Sequence, residues 1–274
     1  MIDSLSVGGA TRVARGLADL WWLADFPRRK VAVGNILGSG IETEPSRARA
    51  LSRRSAHHFA TVVIESLKSS EALDEERWRE HIRLDIADDV MAVLEDPEQG
   101  LIMASGHFGS WEIAAQWLSR FKPVAGITRP MNNPRVEALI QQRKPRYRFN
   151  PIPKYAADPR RFIKVLKSGE ILALLTDQHA RSHGMEVEFF GRAAATYTTA
   201  AMLHLVTRTP LCFAACRRIG PMRFELVTSP LIDQKPSGDK KKDVKSILTT
   251  LNEHLEAMIR QDPDQYLWGH RRWR

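Results

Sequence analysis

Between residues 100 and 230 the chain repeats one pattern: a short apolar run, a polar or glycine-containing turn, then a segment carrying helix-start or helix-stop signals. The runs LIMAS (101–105), PVAGI (123–127), EILALLT (170–176), PLCFAAC (210–216) and RFELVTS (223–229) have the length and residue types of strands. Between them, NPRVEALIQQRK and DPRRFIKVLKSG begin with Asn133 and Asp158 as caps and Pro134 and Pro159 at the first helical position, and Gly169 closes the second. TYTTAAMLHLVTRT reads as a third helix. Strands and helices alternating in this way predict an α/β domain: a mixed, largely parallel central sheet flanked by helices.

The first 98 residues have another texture and read as an N-terminal helical segment packed on a core of residues 99–274, in one continuous domain. Residues 12–26 put Val13, Leu17, Leu20, Trp21 and Ala24 on one helical face, with Arg12 and Arg15 nearby and PRRK directly after. Such a helix either packs inward or lies in a membrane headgroup region, where paired tryptophans and basic neighbours are at home. A second helix is expected from Ser46 to Leu67, its face formed by Leu51, Ser55, Phe59, Val62, Val63 and Leu67, with His57 and His58 as ordinary helix residues. DQKPSGDKKK (233–242) reads as a solvated loop before a final amphipathic helix, and the tail DPDQYLWGHRRWR is aromatic and basic.

At 274 residues the chain is long enough for one elaborated domain with a large core. Its formal charge of +9 favours anionic partners without choosing among them. The two cysteines, Cys212 and Cys216, lie in an apolar stretch and read as a buried, reduced pair. No stretch reaches the ~18 apolar residues of a spanning helix, and no signal peptide order is present at the start, so the expected location is the cytoplasmic side, free or on a membrane surface. A GK[ST] phosphate loop, a dinucleotide fingerprint, a GxSxG elbow and any nucleic-acid module are all missing from the sequence.

GHFGSWEIA (106–114) is the segment richest in chemistry. If 101–105 is a strand, Gly106 and Gly109 permit a tight turn, Ser110 caps a helix, and His107 precedes that helix while Glu112 lies in its first turn. The turn would let the imidazole fold back, so that Glu112 accepts a hydrogen bond from one ring nitrogen and leaves the other free to take a proton from a hydroxyl group. Spacing alone does not separate such a pair from two polar residues near a helix start. Asp177, His179 and His183 in TDQHARSHG follow a strand end; a metal there is disfavoured, and Asp177 is the member retained for function. Arg129 also follows a strand end, where a guanidinium can clamp a phosphate; Arg143, Lys144, Arg146, Arg148 and Lys154 extend the basic stretch mainly as surface charge.

GHFGSWEIA, GITRPMNNPRVEALIQQRK, LKSGEILALLTDQHA, VEFFGRAAATYTTAAMLHLVTRTPL and DPDQYLWGHRRWR resemble, in that order, the bacterial lipid A biosynthesis (late) acyltransferases. They share the H-x4-D/E motif of the wider glycerolipid acyltransferases. The resemblance runs from about residue 12 to the C-terminus. It implies a glycerolipid acyltransferase-like fold, and transfer of a fatty acyl chain from acyl carrier protein to a hydroxyl of an anionic glycolipid at the cytoplasmic face of the inner membrane. His107 would be the general base, Glu112 its orienting carboxylate, and Arg129 and Asp177 substrate-binding residues. Backbone N–H groups of Gly109 and Ser110 would stabilise the oxyanion. No cofactor and no metal is called for. Many family members begin with a spanning helix that this sequence lacks, so it is expected to be either a naturally peripheral form or one that begins after that segment, with attachment then resting on residues 12–26 and their basic neighbours.

Overall fold

The computed structural model describes residues 5–70, 73, 74, 76–129, 138, 147–181 and 184–273. The predicted helix over NPRVEALIQQRK, with Asn133 and Pro134, lies outside the described residues, as do Arg143, Lys144, Arg146 and His183.

Three helices open the chain, α1 (Val7–Ala24), α2 (Phe26–Gly38) and α3 (Pro45–Leu67), followed by the short α4 (Trp78–His81), β1 (Ile82–Asp85) and α5 (Asp88–Glu95). Then come β2 (Leu101–Ser105), α6 (Trp111–Leu118), β3 (Val124–Thr128), β4 (Phe149–Pro153), α7 (Pro159–Lys167) and β5 (Ile171–Leu175). An antiparallel hairpin, β6 (Gly184–Phe189) and β7 (Arg192–Tyr197), leads to α8 (Thr199–Thr207), β8 (Leu211–Gly220), β9 (Arg223–Thr228) and α9 (Lys240–Gln261). Among the described residues the main sheet has the order β1-β9-β8-β2-β5-β3-β4, antiparallel only between β8 and β9. This is the mixed, largely parallel sheet flanked by helices that the strand and helix alternation predicts.

The central strands are apolar on both faces because both are covered. Ile102, Ala104, Leu172 and Leu174 face a layer built from α2, α3, α8 and α9, in which Leu248, Leu251 and Leu255 are buried. Leu101, Met103, Ile171 and Cys212 face α5 and α6, where Val90, Leu94, Ile113 and Trp117 are buried. Each such large side chain contributes roughly 1.5–3 kcal/mol on full burial. Cys212 and Cys216 are buried free thiols on β8. β1 pairs in parallel with β9, so residues 82–85 of the N-terminal segment are part of the sheet.

Asp158 caps α7 as expected, its side chain accepting from the Arg160 N–H, and Gly169 closes the turn after it at φ +72°. The stripe predicted on α1 faces outward: Val13, Leu17, Leu20 and Trp21 are each at least half exposed. The helix packs on α3 by its other side, through Ala10, Ala18 and the Trp22 indole, which donates to Ser52 Oγ at 3.1 Å. Among the described residues no helix is long and apolar enough to cross a membrane.

Candidate active site

The turn after β2 depends on both glycines, for different reasons. A side chain at Gly106 would run into Leu255, 2.8 Å from where its Cβ would stand. Gly109 adopts φ +61°, and a Cβ there would collide with the Cys216 carbonyl. The segment after α9 clamps the turn. The Leu267 N–H donates to the His107 carbonyl at 3.0 Å and the Gly109 N–H to that of Gln265 at 2.9 Å. Ser55 of α3 and Asn35 of α2 hold this segment in turn, donating to the carbonyls of Tyr266, Trp268 and His270.

The His107 ring then faces a carboxylate, but not Glu112. Asp177 Oδ1 lies 2.8 Å from Nδ1, and Asp177 Oδ2 accepts the His107 backbone N–H at 2.9 Å. Sheet register explains the meeting: Ser105 of β2 stands opposite Leu175 of β5, so His107 and Asp177 are the residues two beyond each paired strand end. Asp177 is 1% exposed. Burial disfavours its charge, yet the charge of His107, the hydrogen bonds from it and the nearby Arg272 guanidinium together hold the carboxyl below its ordinary range. Burial likewise opposes a charged His107, and Asp177 outweighs it, raising the imidazole above its ordinary value. The proton on the neutral ring therefore sits on Nδ1 and leaves the Nε2 lone pair as the acceptor.

Four expectations for this site need correction. Glu112, in the first turn of α6, accepts a hydrogen bond from the Tyr147 hydroxyl at 2.8 Å, while Asp177 occupies the place at Nδ1 expected of it. Asp177 is buried beneath the histidine and does not line the cavity beside it. The N–H groups of Gly109 and Ser110 donate to the carbonyls of Gln265 and Cys216, at 2.9 and 2.7 Å, and so are not open to an oxyanion. Ser110 stands at the N-cap of α6, but its buried hydroxyl makes no capping bond.

A cavity of about 990 Å³ opens beside His107. Glu112, Arg129, Tyr147, Lys154, Gln178 and His270 are polar residues of its lining. Its apolar part lies between α6 and the sheet, where Met103, Gly126, Ala173 and Ala214 meet Ala115 and Leu118. The small residues at Gly126, Ala173 and Ala214 leave this space where larger side chains would fill it. A cavity with polar residues around the histidine and an apolar part beyond it suits an amphiphilic molecule.

The sequence matches the family described as Bacterial lipid A biosynthesis acyltransferase over residues 40–274. The chain belongs to that family. A lipid A biosynthesis lauroyltransferase of Escherichia coli K12 is 28% identical over 201 residues, 72% of this chain and 62% of the relative. A lipid A biosynthesis palmitoleoyltransferase of the same organism is 26% identical over 179 residues, 64% of this chain and 56% of the relative. This family member thus spans less than two thirds of either relative's length. Among solved structures, a 1-acyl-sn-glycerophosphate acyltransferase, PlsC, from Thermotoga maritima aligns with a TM-score of 0.38 at 14% identity, over 90% of this chain and 98% of that one.

Within this lipid A acyltransferase family member, sequence reading places His107, Glu112, Arg129 and Asp177 at one site, and the structure gathers all four there. It does not anticipate Tyr147, Gln178, His270 or Arg272. Gln178 adjoins Asp177 in TDQHA, and His270 and Arg272 sit in the tail that sequence marks only as aromatic and basic. Arg272 is 1% exposed and donates to the Ala195 carbonyl and to Thr196 Oγ1 at 2.9 and 2.7 Å, which brings its charge close to Asp177.

Proposed function

We propose that the protein is a membrane-associated O-acyltransferase that moves a fatty acyl chain from an acyl carrier protein thioester to a hydroxyl, or acyl-hydroxyl, of a lipid A precursor or related phosphoglycolipid. The observation that carries this reading is His107. Its Nδ1 is bound by a buried carboxylate, and its ring lines a partly apolar cavity of about 990 Å³ that Arg129 also lines. Family membership supports the lipid substrate class.

In this reading the acceptor O–H gives its proton to His107 Nε2 as its oxygen attacks the thioester carbonyl. The tetrahedral intermediate then expels the thiolate, the C–S bond breaks, and the proton passes from His107 to sulfur. Asp177 holds the ring and stabilises the imidazolium, as in a Ser-His-Asp triad whose nucleophile comes from the substrate. With the N–H groups of Gly109 and Ser110 engaged, first-turn N–H groups of α6 remain as backbone candidates for the oxyanion, since a helix leaves these without intrahelical partners. Arg129 binds a substrate phosphate, and the apolar end of the cavity takes the acyl chain. The exposed stripe of α1, continued by Leu23 and Phe26 and flanked by Arg28, supports contact with an anionic bilayer surface.

The test is transfer of labelled acyl groups from acyl carrier protein to a phosphoglycolipid by the purified protein, with His107→Ala as control. Loss of transfer in a folded His107→Ala protein is expected, and undiminished transfer would overturn the mechanism. Mass spectrometry of lipids from a deletion strain identifies the acceptor; a change confined to glycerophospholipids would replace the glycolipid with a lysophospholipid.

A further inference from the structure

His107 has a second partner that the reaction above does not use. Gln178 Nε2 lies 3.4 Å from His107 Nε2 and 3.1 Å from His270 Nε2, with the two imidazole rings 5.5 Å apart. His270 is held by its own backbone, because the Asn35 amide donates to its carbonyl at 2.6 Å. A side-chain amide nitrogen carries two N–H donors and no acceptor. One such group between two ring nitrogens satisfies both only when each ring presents a lone pair there. For His107 that is the tautomer Asp177 already imposes.

We propose that Gln178 and His270 form a positioning pair for His107, in which His270 accepts one Gln178 N–H and thereby aims the other at His107 Nε2. The inference rests on the reading of His107 as the base. The amide supports the neutral imidazole, since a protonated Nε2 would meet it donor to donor, whereas Asp177 supports the imidazolium. The 3.4 Å contact is long enough for an arriving hydroxyl to replace it at little cost. After proton transfer the same amide offers Nε2–H no acceptor, which favours passage of the proton to the leaving sulfur. Without His270 the amide is free to turn, present its oxygen to Nε2–H and retain the proton.

Other charges face this group. Asp177 lies at Nδ1, with Arg272 and the Tyr266 hydroxyl beside that carboxylate. Arg28 of α2 acts on His270. Glu112, Tyr147, Arg129 and Lys154 line the cavity. These side chains all stay in place when Gln178 or His270 is substituted, and only the action of Arg28 and Asp177 on the His270 ring is lost with that ring.

The experiment is an NMR titration of ¹⁵N-histidine in the full chain, with the His107 ring signals assigned by their loss in His107→Ala, alongside the pH dependence of kcat/KM for acyl transfer. In Gln178→Leu and His270→Phe the His107 midpoint should rise by roughly half to one pH unit, and the acidic limb of the rate profile should follow. The double variant should move no further than either single one. His270→Gln, whose Oε1 can stand in for the ring nitrogen, should restore the midpoint. Gln178→Glu, almost equal in size and an acceptor, should raise it more than Gln178→Leu does. An unchanged or lowered midpoint in Gln178→Leu or His270→Phe, or additive shifts in the double variant, would overturn the pairing. If the wild-type protein transfers no acyl group while the NMR shifts appear, the proposed reaction fails and the pairing stands.

Discussion

Two carboxylates of the His107 site, Asp177 and Glu112, have opposite settings. Asp177, beneath the ring, is sealed from solvent, tied twice to His107 and neighboured by a buried arginine. Glu112, on the cavity wall, is partly exposed and accepts from a tyrosine. A sealed carboxylate keeps its partner through the whole reaction, whereas one lining a cavity can exchange partners when substrate arrives. The contrast also separates two kinds of proximity. Glu112 is near His107 along the chain, but Asp177, seventy positions away, is brought to the ring by the register of two parallel strands.

The sharpest way to break this comparison is to neutralise each carboxylate in turn. Asp177→Asn should lower turnover about 10³–10⁴-fold, the scale seen when the orienting acid of a triad is replaced. It should also reduce stability by roughly 3–5 kcal/mol, because a buried pair loses one partner; turnover assays and urea melts measure both. Glu112→Gln, which keeps an acceptor for the Tyr147 hydroxyl, should cost turnover far less than Asp177→Asn does, with little change in the melt. If Glu112→Gln were the more damaging in both assays, Asp177 would not be the carboxylate that supports His107.

A smaller effect tests the apolar end of the cavity. The Cβ of any residue replacing Gly126 would stand 3.3 Å from the Phe149 ring, so Gly126→Leu fills part of the space between α6 and the sheet. Competition between donors of different chain length should then shift toward shorter chains by about tenfold, the worth of a methylene or so in an apolar pocket. An unchanged preference would show that the chain lies elsewhere.

The smallest effect is on stability against pH. His107, raised in the folded protein, contributes stability fully below its ordinary value of 6.5 and loses it as pH rises through the folded value. Asp177, lowered in the folded protein, contributes above its ordinary 3.8 and loses it as pH falls through the folded value. The advantage of wild type over Asp177→Asn should therefore be greatest between about pH 3.8 and 6.5 and shrink on both sides in thermal melts. Catalysis needs the neutral ring and should rise where that stabilisation fades; parallel profiles would contradict the pairing.

Much of this is legible in the sequence. The strand LIMAS, the glycine turn and the helix from Trp111 follow from local rules, because apolar runs, glycine freedom and helix starts are properties of neighbours. Asp177 was visible as a polar residue beyond a strand end, but its partner was not, since strand order and register are long-range. The hairpin β6–β7 is not legible, because AAATY lacks the branched and aromatic density of a strand. The outward apolar face of α1 was legible as a stripe, though not which way it points. Least legible was the tail: charge and aromatic content suggest surface, whereas Tyr266, Trp268 and Arg272 are fully buried, and their partners come from α2, α3 and the hairpin.

That tail also sets an order of events during synthesis. The turn that carries His107 is held by carbonyls and N–H groups of Gln265, Tyr266 and Leu267, residues made more than 150 positions after it. A growing chain can pair β2 with β5 once both have left the ribosome, yet it cannot fix the histidine until the tail follows. A nascent chain, or one cut short before Gln265, would thus pair these strands without the contacts that hold the His107 turn.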